Sequence, residues 1–255
     1  MEAVKAKKYL GQHFLTDEGI ARRIVDSLSS SAHHVLEVGP GMGVLTKYML
    51  ERECEDFRVV EIDRESVAWL KARYPGLPII EGDFLRLELG ALFEGRCAII
   101  GNFPYNISSQ ILFRVFDQRQ VVDEVVGMFQ KEVAERVAAG PGSKTYGILS
   151  VLLSAFYDIE YLFTVSEHVF NPPPKVKSAV IRLTRNGVKA LDCDERLFVQ
   201  VVKAGFNQRR KTLRNALRSA ALPIDEVPDS TLSQRAEQLS VDEFVSITKI
   251  IESCL

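Results

Sequence analysis

Long apolar runs are missing from this chain, and their absence removes one class of protein at once. No stretch approaches the roughly 20 residues of a bilayer-spanning helix. Cysteine is scarce and scattered: Cys54, Cys97, Cys193 and Cys254 make neither a CxxC pair nor a Cys/His cluster. That spacing argues against a disulfide scaffold and a zinc module, so no metal is expected, and free thiols in a reducing cytoplasm are the natural reading. Neither sign of charge dominates, with 32 Lys and Arg against 34 Asp and Glu. Any nucleic-acid contact must therefore come from local patches rather than a global field. The basic start, with Lys5, Lys7 and Lys8, has no apolar core of the kind a secretory signal needs. Internal repeats and low-complexity segments are also lacking. What is present is a hydrophobic fraction of 46% over 255 residues, enough for one large domain and a small one.

From about residue 33 to 184, short β-branched runs alternate with amphipathic stretches. Strands are expected at 34–38, 57–62, 77–80, 98–101, 121–129, 159–165 and 176–183, and helices at 44–51, 64–73, 108–116, 131–139 and 146–156. Such alternation predicts an α/β fold, a mostly parallel sheet with helices on both faces. The last two strand runs lie close together, which suggests an antiparallel edge. Beyond Asn186-Gly187 strand character stops, and 197–205, 212–221, 232–238 and 241–253 read as helices, the last capped by Ser240 with Glu243. The domains expected are 1–187 and a small helical one, 188–255.

Three predicted strand ends carry groups suited to a nucleoside-shaped ligand. The first runs into Gly39-Pro40-Gly41-Met42-Gly43, where closely spaced glycines let the backbone approach a ligand at a helix start. A tight turn with no ligand is the plain alternative. A dinucleotide fold would need glycine at position 44, where Val44 stands. Glu61 and Ile62 end the second strand, about 20 residues on, where a carboxylate can accept ribose hydroxyls. Asp83 and Phe84 follow the third, one able to accept from an adenine amino group and the other to lie beside the ring. At the fourth end stands Asn102-Phe103-Pro104-Tyr105: an amide, a stiffened backbone and an aromatic ring. That set can hold a flat, amino-bearing ring by its edge and by its face.

In order, Gln12-His13-Phe14-Leu15, Glu37 to Gly43, Glu61, Asp83, Asn102 to Tyr105, Phe170 to Ser178 and Phe206 to Leu217 resemble the ribosomal RNA adenine dimethyltransferases that use S-adenosylmethionine, most of all the small-subunit branch. The resemblance spans about residues 5–254 and implies a Rossmann-like class I methyltransferase domain with a helical C-terminal domain that binds RNA or the subunit. It implies that Gln12, His13 and Leu15 close over the methionine end of S-adenosylmethionine, and that Gly39, Gly41 and Gly43 line its methionine and ribose side. Glu61 with Ile62 would take the ribose, and Asp83 with Phe84 the adenine. Asn102 would contact both cofactor and target base, and Tyr105 and Phe170 would sandwich that base. A core aromatic before a proline bend is the plainer reading of Phe170, and a neutral surface histidine that of His13. Two positions depart from the pattern: Phe103 stands where leucine is commonest, and His13 where asparagine is frequent.

The chemistry expected is transfer of an already activated methyl group, with the Asn102 oxygen and the Phe103 carbonyl accepting the two adenine N6 hydrogens. RNA contact is expected from Lys203, Arg209, Arg210, Lys211, Arg214 and Arg218, a run without an acid, and from Lys175. A solvated face carries equal weight for that run. The partner implied is small-subunit ribosomal RNA within an immature subunit, met by a monomer in the cytoplasm without a membrane. A large-subunit methyltransferase of the macrolide-resistance kind and a non-catalytic assembly factor are the other readings.

Overall fold

The strand ends matter most, and the sheet sets them side by side. The computed structural model describes residues 4–255. A short β1 (Phe14–Leu15) and α1 (Glu18–Asp26) precede β2 (His34–Val38), α2 (Thr46–Met49), β3 (Asp56–Glu61), α3 (Arg64–Arg73) and β4 (Ile79–Glu81). Then come β5 (Cys97–Asn102), α4 (Ser108–Asp117), β6 (Val122–Gln130), α5 (Lys131–Val137), α6 (Ile148–Ser154), β7 (Tyr157–Val165), β8 (Phe170–Asn171) and β9 (Ser178–Arg185). The chain ends with α7 (Glu195–Asn207), α8 (Leu213–Ser219), α9 (Asp229–Leu232) and α10 (Val241–Ser253).

Seven strands form one sheet in the order β4-β3-β2-β5-β6-β9-β7. The pairs from β4 to β6 are parallel, and β9 runs antiparallel to β6. This is the expected mostly parallel sheet, with the two late strands adjacent at one edge. Successive residues of the central strands point to opposite faces, and both sets are buried: Val35, Ile100, Val126 and Val180 on one side, Leu36, Ile99, Val125 and Ile181 on the other. A sheet covered on both faces needs strands that are apolar throughout, which is what these runs supply. On the first face α1 lays down Ala21, Ile24 and Val25, and the loop and helix after β2 add Leu45, Tyr48 and Met49. Asp17 caps α1 by accepting from the Ile20 amide at 2.9 Å.

The chain folds as two compact units. One runs as far as Ala134 and resumes at Ile159–Arg185; the other comprises Glu135–Asp158 and Asn186–Leu255. The helical unit thus recruits α6 from the middle of the chain, a segment the sequence reading groups with the first domain. Its core joins Leu149 and Leu152 of α6 to Phe198, Val202, Phe206, Leu217 and Phe244. Tyr146 meets Phe206 edge-on at 5.9 Å, and Phe206 stacks on Phe244 at 6.0 Å. The Ser240–Glu243 capping box forms as expected, at 3.2 and 2.7 Å. Among the described residues no helix is long and apolar enough to cross a membrane.

Candidate functional site

The carboxyl ends of β2, β3, β4 and β5 open on one cleft, the place where open α/β sheets take their ligands. A cavity of about 180 Å³ is lined there by Gln12, His13, Gly39, Gly41, Glu61, Ile62, Asp83, Phe84 and Asn102 to Tyr105. A second, of about 430 Å³, is lined by Leu15, Glu37 and Gly43, and shares Phe14, Gly39 and Asn102 with the first. Of the sequence-predicted cofactor residues, nine therefore share the first cavity, and Leu15 and Gly43 border the adjoining one.

The three turn glycines all adopt positive φ, but their tasks differ. A Cβ on Gly39 would meet nothing closer than Pro104 Cδ at 3.9 Å, so this position leaves the cleft wide. A Cβ on Gly41 would sit 2.8 Å from the Phe14 ring, and one on Gly43 2.7 Å from the Tyr74 ring. Those two glycines admit a neighbouring ring.

Glu61 is only 4% exposed. Its carboxylate accepts from the Gly41 amide at 3.1 Å and the Asp63 amide at 2.9 Å. Burial raises its pKa against the pull of those two bonds. A carboxylate has about four acceptor positions, so two remain for a ligand. Asp63 beside it is also buried, which raises its pKa, yet Lys7 and Ser66 bring it below the usual range. Lys7 anchors a strap of residues 7–15, whose turn is closed by its own amide donating to Gln12 Oε1 at 2.8 Å. Asp83 accepts from the Leu85 amide at 3.0 Å, while Phe84 is buried beneath the cleft and Ile62 stands 55% exposed at its rim.

Asn102, the last residue of β5, donates Nδ2 to the His13 carbonyl at 2.9 Å, so Oδ1 is the acceptor it presents. The Phe103 amide is held by the Met128 carbonyl at 3.1 Å. Its ring is buried against Phe129 at 4.9 Å, above the bare backbones of Gly101 and Gly127. Tyr105 shares a hydrogen bond with Ser178 Oγ, and burial raises its pKa in spite of that bond. Phe170 is not at the cavity: it is 4% exposed, pairs across β1–β8 with Leu15 and belongs to the apolar cluster. The ring lying on Tyr105 is that of His13.

The predicted RNA residues divide likewise. Arg209 donates to the Lys144 and Tyr146 carbonyls at 2.5 and 2.9 Å and pairs with Glu237 at 3.6 Å, while Arg214 pairs with Asp229 at 2.6 Å. Lys175, Lys203, Arg210, Lys211 and Arg218 are exposed, as is Arg209, so exposure alone does not separate them. Sequence reasoning reads Lys7 only as part of the basic start, not as a partner of Asp63, and misses the β1–β8 pairing that carries the strap. Two-residue strands have no period to detect, and the only cue was the position of Gly11, which turns the strap at φ 66°.

A structure of a dimethyladenosine transferase from Plasmodium falciparum is 26% identical, with a TM-score of 0.77, and the match covers 92% of this chain and 96% of that one. The 23S rRNA methyltransferase ErmE, at 24% identity and a TM-score of 0.69 over 92% and 99% of the two chains, shares the fold. The ribosomal RNA small subunit methyltransferase A of Cytophaga hutchinsonii is 60% identical over 98% of this chain and 99% of its own length. The family model for ribosomal RNA adenine dimethylase matches residues 3–253, and the chain belongs to that family.

Proposed function

We propose that this protein transfers methyl groups from S-adenosylmethionine to N6 of two adjacent adenines in a hairpin loop near the 3′ end of small-subunit ribosomal RNA, giving N6,N6-dimethyladenosines. The observation that carries the reading is the Asn102 amide, pinned through Nδ2 at the end of β5 and presenting Oδ1 beside the Gly39–Glu61 cleft. The 60% identity to a small-subunit methyltransferase supports the target.

The residues present fit the cofactor. A buried carboxylate with spare acceptor positions suits ribose hydroxyls, Ile62 and Phe84 make apolar walls for a purine, and Asp83 can accept from its amino group. Gly39, Gly41 and Gly43, with Leu15, would border the methionine side, where the two cavities meet at Phe14, Gly39 and Asn102. S-adenosylmethionine supplies an activated sulfonium methyl group when bound. Asn102 Oδ1 and the Phe103 carbonyl accept the two N6 hydrogens, which draws the nitrogen lone pair out of the ring and stabilises developing positive charge. Pro104 stiffens the chain that carries that carbonyl, and Tyr105 supplies a stacking face that holds the base in line. Phe170 is the proposed second wall; it would have to leave the apolar cluster to serve. A metal is not needed for this reaction, and among the described residues none of the His, Cys, Asp and Glu side chains form a group of three or more placed to hold one.

The exposed Arg210, Lys211 and Arg218, with Lys203 and Lys175, are proposed to follow RNA phosphates of an immature small subunit in the cytoplasm, the protein acting as a monomer. The deciding experiment offers labelled S-adenosylmethionine to unmethylated small subunits and to large-subunit RNA, with wild-type protein and Asn102→Ala. Dimethylated adenines in small-subunit RNA, lowered by about 10²-fold or more in the variant, are expected. Label confined to large-subunit RNA, or a variant with near-normal turnover, refutes the reading.

A further inference from the structure

The aromatic ring resting on Tyr105 belongs to the protein itself. His13 stacks on Tyr105 with centroids 5.3 Å apart and planes inclined by 27°, and both residues line the cavity that Asn102 borders. The main chain is tethered at the His13 carbonyl and at the residue after it. Its carbonyl accepts the Asn102 amide at 2.9 Å, and the next residue, Phe14, pairs with Asn171 across β1–β8. Beyond the stacking contact the ring has one hydrogen bond, Nδ1–H donating to the Pro172 carbonyl at 2.7 Å.

A base could enter by parting the two rings or by replacing one of them. Parting them needs about 7 Å between rings, twice a stacking separation of about 3.5 Å, and the tethered main chain cannot retreat that far without losing Asn102. Replacement needs only rotation of the His13 side chain to another staggered rotamer, which gives up the Pro172 bond and the Tyr105 contact. Resting on the methyltransferase reading, we infer that His13 is a placeholder for the target adenine. Its ring covers the stacking face of Tyr105 until the base arrives, then swings out, while its carbonyl keeps Asn102 oriented throughout. The entering base must offer more than the contacts it displaces. Adenine does so through its stacking area and two N6 hydrogens; uracil, which has a smaller ring and no amino group, does not.

Two measurements test this with the intact protein. In the first, the His13 ring-proton resonances are followed by NMR while adenosine monophosphate is added. They start upfield, shielded by Tyr105, and are expected to move downfield as the ring leaves; signals that stay fixed throughout overturn the inference. In the second, affinity is measured for an RNA hairpin carrying the unmethylated target adenine. His13→Asn keeps a donor for Pro172 but has no ring, and is expected to bind about fivefold tighter than wild type, the effect of removing one modest contact that the base must displace. His13→Phe keeps a stacking ring and is expected to bind no tighter. Unchanged or weaker binding by His13→Asn overturns the placeholder. Wild-type methylation of small subunits is scored separately, so failure of the placeholder and failure of the methyltransferase reading give different results.

Discussion

Gly127→Ala, a substitution one strand away from the site, tests whether the backbone at Phe103 is held in place by packing. Gly127 lies on β6 directly beside Gly101 of β5, and its missing side chain makes room for the Phe103 ring. A Cβ there would fall 2.1 Å from Phe103 Cε2 and 2.7 Å from Phe129 Cε2. Carbon atoms pack at about 3.5 Å, so roughly 1.4 Å must be recovered. The ring cannot tilt away freely, because Phe129 lies 4.9 Å off and the backbone of Gly101 is directly under it. The movement therefore passes to the main chain, whose Phe103 amide is fixed to Met128 and whose carbonyl is the proposed acceptor for an N6 hydrogen. Overpacking of this kind costs about 1–3 kcal/mol, and a shift of about 1 Å at a reacting group lowers turnover about 10²-fold. Phe103→Leu in the same chain removes the atoms that clash, so the double variant should regain most of the stability and turnover. Rescue will be partial, since the contact with Phe129 remains. Urea unfolding and methyl incorporation into small subunits measure both effects. A Gly127→Ala protein as stable and active as wild type, or a double variant no better than the single, would refute the packing argument.

The other predictions concern charge. Burial, with the nearby Glu61 carboxylate adding to it, pushes the Glu37 pKa up to about 8 against the bond from Thr46 Oγ1 at 2.7 Å. Its folded pKa thus lies above the ordinary value of 4.5, so the folded protein holds this proton more tightly, and stability falls as pH rises between 4.5 and about 8. Glu37→Gln keeps an acceptor for Thr46 and should match wild type near pH 5 yet exceed it near pH 8.5 by on the order of 4 kcal/mol; parallel pH profiles in urea unfolding would count against a buried neutral acid. Replacing Arg210 and Lys211 together by Gln should weaken small-subunit binding and reduce its log–log salt slope by about two, with the melting temperature unchanged. Arg214→Gln, which removes an internal pair with Asp229, should change that slope by well under one; a change of about one would mean that internal pairing does not withhold a charge from RNA.

How far each part of the molecule could be read depends on how local its determinants are. The strand 34–38 and the helices 64–73 and 241–253 form at the expected residues, because an apolar period and a cap act within a few positions. Four strand ends, with their glycines, Glu61, Asp83 and Asn102, meet in one cleft because a parallel sheet sets successive carboxyl ends side by side. Helix 18–26 was missed although Asp17 caps it and Ala21, Ile24 and Val25 share a face; the polar Glu18, Arg22 and Arg23 mask a short stripe. Other features are settled only by what arrives from far along the chain. Arg209 and Arg210 are adjacent, identical and both exposed, yet Arg209 is drawn to the carbonyls of 144 and 146 because α6 joins the helical unit, while Arg210 makes no such contact. The neighbours of Phe170 and His13 are settled in the same way. The β1–β8 pairing puts Phe170 against Leu15 in the core and swings His13 over Tyr105, and pairing Phe14 with Asn171 and Leu15 with Phe170, 157 and 155 positions away, leaves no periodic trace. The aromatic that meets the base site is therefore chosen by the strap, not by the motif that contains Tyr105.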